Sequence, residues 1–197
     1  NTQFACEVKN YNVEDFIERK EARKMDKYTQ YAMVTATEAV EDAKFNFETL
    51  NLDRAGVIWG SGIGGLQTFQ DEVTNFNAGN GVPKFNPFFI PKMIADIAGG
   101  LISMKYGLRG PNFTTVSACA SSTNAIIDAF NYIRLGHADV IVTGGSEAAV
   151  TIAGIGGFRQ ALTLLGKDFN FNQRTIAFSE IDESAVKSYK AIYDTDQ

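Results

Sequence analysis

Cys119 stands where a short β-favouring run, Phe113 to Val116, meets small residues and then a helical run through Ala129. A thiol at such an elbow faces the free N–H groups of the helix's first turn. The dipole there favours the thiolate by about 0.3–1 kcal/mol at an exposed site, and the thiolate is the nucleophilic form. The chemistry on offer is therefore nucleophilic. A small buried core residue, the common fate of a free thiol, fits the local pattern equally well.

A second pattern with chemical content is Gly60-Ser-Gly-Ile-Gly-Gly65, which follows the apolar strand Ala55-Gly-Val-Ile-Trp59. It fits G-x-G-x-x-G, the turn that holds a dinucleotide's pyrophosphate in an oxidoreductase. About twenty residues on, an acidic residue should end a second strand. The chain reads Pro83-Lys-Phe-Asn-Pro-Phe-Phe there instead. That makes the dinucleotide reading remote and leaves a tight, closely packed turn as its competitor.

The elements that must position these residues follow from periodicity. Residues 13–44 read as helices, charged at first, then with an apolar stripe through Tyr28, Tyr31, Ala32, Ala39, Val40 and Ala43. Leu66 to Phe76 is an expected helix and 77–83 a loop. Asn86-Pro-Phe-Phe-Ile-Pro91 is bracketed by prolines and should not run through a helix. Ile94 to Tyr106 reads as a buried helix, Gly107 to Pro111 as a turn, and Gly136 as the stop of the Cys119 helix. Ala138 to Thr143 reads as a buried strand ending in Gly144-Gly145. Apolar strands alternating with helices predict an α/β layered fold, its sheet covered on both faces. Beyond Leu165 the chain turns polar and Asn-rich, with a further expected helix over 179–194 capped by Ser179.

Bulk properties exclude several classes. The 197 residues suffice for one domain; 45% are hydrophobic and 21% charged, and the net charge is -5. Nothing suggests nucleic-acid binding. The two cysteines, Cys6 and Cys119, form neither a metal spacing nor a disulfide framework, which fits a reducing compartment. No stretch approaches the length of a membrane span, and Asn1-Thr-Gln-Phe-Ala-Cys-Glu-Val does not open like a signal peptide. A soluble cytoplasmic protein without metal or cofactor is the expectation.

Six segments, in order, carry a family resemblance: Arg19-Lys-Glu-Ala-Arg-Lys-Met-Asp26, Gly60-Ser-Gly-Ile-Gly-Gly-Leu66, Asn86-Pro-Phe-Phe-Ile-Pro91, Tyr106-Gly-Leu-Arg-Gly-Pro111, Ser117-Ala-Cys-Ala120, and Gly136 through Glu147. Over about Phe4 to Leu162 the chain resembles the β-ketoacyl-acyl-carrier-protein synthases, and within them the long-chain elongating synthase II type. The resemblance implies a thiolase-like α-β-α-β-α fold, of which 1–164 would be the N-terminal half without its first strand. Residues 165–197 suggest no family segment.

By that resemblance, Cys119 accepts an acyl chain from acyl-carrier protein, and its own N–H serves in the oxyanion hole. Decarboxylation of malonyl-carrier protein and Claisen condensation would then give a 3-oxoacyl product. Ile94 would line the acyl pocket. Lys20, Arg23, Lys24 and Lys27, at helical spacing, would form a basic stripe that docks the acidic carrier; a solvated helix face is the plainer reading. A homodimer is implied, as is an acyltransferase of fatty-acid synthesis. The family's two histidines, lysine and gating phenylalanine have no counterpart here. The one histidine, His137, is expected on the surface. The chain is thus expected to carry the acylation half of the site, as an incomplete piece of such an enzyme. A non-catalytic, acyl-binding relative of the family is the alternative.

Overall fold

The computed structural model describes residues 5–157. Its centre is a parallel sheet of β1 (Ala55–Gly60), β2 (Asn112–Thr115) and β3 (Val140–Gly145), in the order β2-β1-β3. Register pairs Trp59 with Thr114 on one side, and Gly60 with Gly145 on the other. Every residue of β1 is buried, as expected of a continuously apolar central strand. β3 is half-exposed throughout, against the expectation of a buried strand. It lies at the end of the sheet, so its outer side has no neighbouring strand among the described residues.

Helices cover both faces. α2 (Lys27–Ala43) and α5 (Ile97–Tyr106) pack on one side, and α6 (Ser121–Arg134) packs on the other. The alternation of side chains along β1 builds both cores. Val57 and Trp59 meet Tyr28, Ala32, Ala36, Ala98 and Ile102; Ile58 meets Ala125 and Ala129. The described residues therefore form one α-β-α sandwich, with a single sheet of the five-layered arrangement.

Two local expectations need correction and a third gains detail. The helices expected over 13–44 are a 3-10 turn (Val13–Asp15), α1 (Arg19–Ala22) and α2, with a break before α2. The break is held by Asp26, a buried carboxylate that accepts from Tyr28 N–H at 3.3 Å, Thr68 N–H at 3.0 Å and Thr68 Oγ1 at 2.6 Å. It caps the start of α2 and binds it to α3 (Leu66–Ala78). Next, α4 (Phe89–Met93) runs through Pro91. Pro91 is its third residue, where a missing N–H costs no intrahelical bond. Finally, α5 starts at Ile97, because Ile94 is extended (ψ 138°). Gly107 and Gly136 do close α5 and α6, with φ of 65° and 75°. The helix expected over 179–194 lies outside the described residues.

Candidate active site

β2 delivers the chain to Ser117, and a single 3-10 turn, Ala118–Ala120, carries Cys119 before α6 begins at Ser121. Cys119 is exposed. This rules out the buried-core reading within the described structure. Ala118, immediately before it, has φ of +50°. A side chain in that left-handed region costs on the order of 1–3 kcal/mol and persists only where surroundings over-determine it.

Those surroundings are visible. The hydroxyl of Ser121, itself buried, accepts from Ser117 N–H at 2.9 Å and donates to the Ala118 carbonyl at 2.7 Å. Both bonds span the cysteine. Asn124 donates to Ser117 Oγ at 2.6 Å, and Thr115 Oγ1 donates to the Ser121 carbonyl at 2.8 Å. From β1, Gly60 lies so close that a Cβ there would stand 2.5 Å from the Ser121 carbonyl oxygen. Glycine at this position is a packing requirement.

The Gly60–Gly65 turn is filled by protein. A Cβ on Gly64 would meet the Met93 carbonyl at 2.6 Å, and one on Gly65 the Met93 Cα at 2.8 Å. The amides of Gly62 and Ile63 both donate to Glu147 Oε2, each at 2.8 Å. The groups that would have to hold a pyrophosphate are already bound to a carboxylate, which disfavours the dinucleotide reading and supports the packed turn.

The other expected site residues separate into groups. Ile94 lines a cleft of about 780 Å³ with Asp96, Phe113, Thr114 and Val116, along the edge of β2 that has no neighbouring strand among the described residues. Val116 is three residues from Cys119. Lys20, Arg23 and Lys24 line a different cleft, also about 780 Å³, with Lys84, Phe85 and Phe88. Lys27 is not with them. α1 ends at Ala22 and the chain turns at Asp26, so the four cations do not share a helix face. Lys27 lines a separate small cavity with Tyr31 and Glu147. Lys24 is paired with Glu21 at 2.7 Å. His137 is exposed, as expected, with its ring edge-on to Tyr132.

Sequence reading missed Ser121, Tyr28, Lys84 and Glu147. Ser121 sits two residues after Cys119 at the start of α6, where a serine hydroxyl readily bonds the neighbouring main chain. Glu147 closes the last matched motif, yet nothing local says which amides it meets. Tyr28 donates its hydroxyl proton to the Ile94 carbonyl. Burial, chiefly, pushes its ionisation up to about 12, with Asp26, Asp96 and Glu147 adding to it. On the far side, Arg54 clasps Asp139 at 2.8 and 2.7 Å and donates to the Gly136 carbonyl at 3.0 Å. This holds the Asp139 carboxyl below its ordinary range. Among the described residues no helix is long and apolar enough to cross a membrane.

Comparison with known proteins agrees with this geometry. The model of the β-ketoacyl synthase N-terminal domain matches residues 9–186. A 3-oxoacyl-[acyl-carrier-protein] synthase 2 from Staphylococcus aureus is 45% identical over 168 residues, 85% of this chain and 41% of the relative. The protein of the same name from Synechocystis sp. is 41% identical over 162 residues, 82% of this chain and 39% of its own length. The chain thus spans about two fifths of these relatives. Among solved structures, a ketosynthase complex with a type II polyketide acyl-carrier protein superposes with a TM-score of 0.68 at 23% identity, covering 81% of this chain and 44% of that one. A β-ketoacyl synthase from Burkholderia phymatum gives 0.61 at 21% identity, covering 84% and 39%. At these identities the structures support the fold.

Proposed function

The chain belongs to the β-ketoacyl synthase family, and from that premise we propose that Cys119 is the nucleophile of a 3-oxoacyl-acyl-carrier-protein synthase of fatty-acid elongation. The observation that carries the proposal is an exposed thiol on a strained, hydrogen-bonded elbow between β2 and α6. The Cys119 thiolate attacks the thioester carbonyl of an acylated carrier protein. A sulfur–carbon bond forms, the tetrahedral oxyanion is met by main-chain N–H groups at the elbow, and the carrier's thiolate leaves and takes up a proton. The acyl chain then rests on sulfur and extends into the cleft that Ile94 lines.

Condensation with a malonyl thioester completes the cycle. Loss of carbon dioxide gives an enolate, whose carbon attacks the acyl-Cys119 carbonyl and displaces the thiolate. That half-reaction needs donors at the enolate oxygen, and the described residues supply none that we assign to it. The edge of β2 along that cleft is the surface on which a second copy would pair, making the working unit a homodimer; the expected compartment is the cytoplasm. Residues 1–164 are the N-terminal half of the condensing domain in this reading, and the family match over 9–186 carries that half beyond Leu164.

The test is acyl transfer followed by intact mass. Incubation with an acylated carrier protein should add one acyl mass, on Cys119 and not on Cys6. Selective, rapid alkylation of Cys119 by iodoacetamide should block it. Equal and slow modification of both thiols would overturn the assignment.

A further inference from the structure

Two motifs have no role in the acyl transfer above: the glycine turn after β1, and the Gly-Gly-Ser-Glu147 end of β3. The structure joins them behind the nucleophile. Glu147 Oε2 alone accepts from both Gly62 N–H and Ile63 N–H, each at 2.8 Å. Gly62 lies between this carboxylate and the elbow, with little room for a side chain: a Cβ there would stand 3.1 Å from Glu147 Oε2 and 3.2 Å from the Ala118 carbonyl oxygen. Ser146 fixes the base of the arrangement, its N–H donating to the Gly60 carbonyl at 3.0 Å and its hydroxyl accepting from Trp59 Nε1 at 3.0 Å.

We propose that Glu147 is a positioning residue for Cys119, acting through the Gly62–Ile63 turn against Ala118. The inference rests on Cys119 being the nucleophile. Its physical basis is the φ of +50° at Ala118. That conformation relaxes unless it is held from more than one side. Ser121 holds it from α6; the Gly62 turn holds it from β1, and Glu147 keeps that turn in place. A carboxylate on two amides is a strong way to do so. Because one oxygen takes both bonds, an amide oxygen at the same reach can replace it, whereas a carboxylate one methylene shorter cannot.

The experiment measures the second-order rate of Cys119 alkylation by iodoacetamide in the full chain. Cys6→Ser serves as background, so that Cys119 is the single thiol. N-acetylcysteine is the reference, and thermal melting by circular dichroism accompanies each variant. Glu147→Gln should react within about twofold of the background protein, while Glu147→Ala and Glu147→Asp should react about fivefold more slowly, the factor expected for losing roughly one net hydrogen bond. If Glu147→Ala does not fold, the Gln and Asp variants decide between them. Equal rates for Gln and Asp, or an Asp variant matching the background, overturn the positioning role and leave Cys119 as nucleophile. A background Cys119 no faster than N-acetylcysteine overturns both.

Discussion

The phenol of Tyr28, at the start of α2, donates its proton to the main-chain carbonyl of Ile94, in the break between α4 and α5. The bond joins the sheet's helical cover to the cleft proposed to receive the acyl chain. Tyr28 is fully buried, so its hydroxyl needs a partner within the protein.

Tyr28→Phe should therefore lower stability by about 1–2 kcal/mol, a few degrees of melting temperature in a chain of this size. It should also change the response to alkali. Burial pushes the Tyr28 phenol in the folded chain up to about 12, from an ordinary 10.0. A group whose folded pKa is raised contributes stability fully present below the unfolded value and lost as pH rises through the folded one. Melting temperature should fall between pH 10 and 12 in the wild type, and fall less steeply in the variant. Parallel curves would show that Tyr28 does not govern alkaline unfolding.

Much of this was legible in the chain because it is local. β1, the glycine stops of α5 and α6, and the elbow at Cys119 each follow from a run of a few residues. What failed needed partners distant in sequence. Asp26 sets the break between α1 and α2 because Thr68 offers it two donors, and no periodicity announces that. Glu147 and Gly62 are 85 residues apart. Tyr28 and Ile94 are separated by 66. The basic stripe failed for the same reason: helical spacing held in the sequence, but the helix did not.

Gly60 offers a sharper test of the elbow. Glycine there is fixed by contact and not by its dihedral angles, since a methyl group would meet the main chain of Ser121 at 2.5 Å. Main chain cannot rotate out of the way. Gly60→Ala should cost about 1–3 kcal/mol, as overpacking in a closed core does, and it should displace the start of α6. Urea unfolding measures the first effect. The rate of Cys119 alkylation measures the second and should fall in parallel. A stable variant with unchanged Cys119 reactivity would mean that β1 does not brace the elbow at Cys119.

The regrouping of the cations separates the structural reading of carrier docking from the one that sequence offers. Lys20 and Arg23 share a cleft with Lys84, which no helical spacing could have added, and Phe85 and Phe88 give that cleft an apolar wall. Lys27 faces elsewhere. An acidic carrier protein should be drawn to the cleft by several cations acting together, with an effect that salt screens. Changing Lys20, Arg23 and Lys84 each to Glu should weaken acyl transfer from the carrier about tenfold at low ionic strength when combined. The loss should shrink as salt is raised, and transfer from a small thioester lacking the carrier should be unaffected. Lys27→Glu should leave carrier-dependent transfer unchanged. If Lys27→Glu instead matched Lys20→Glu in both size and salt dependence, the carrier would be reading the whole basic segment, and the cleft would not be its dock.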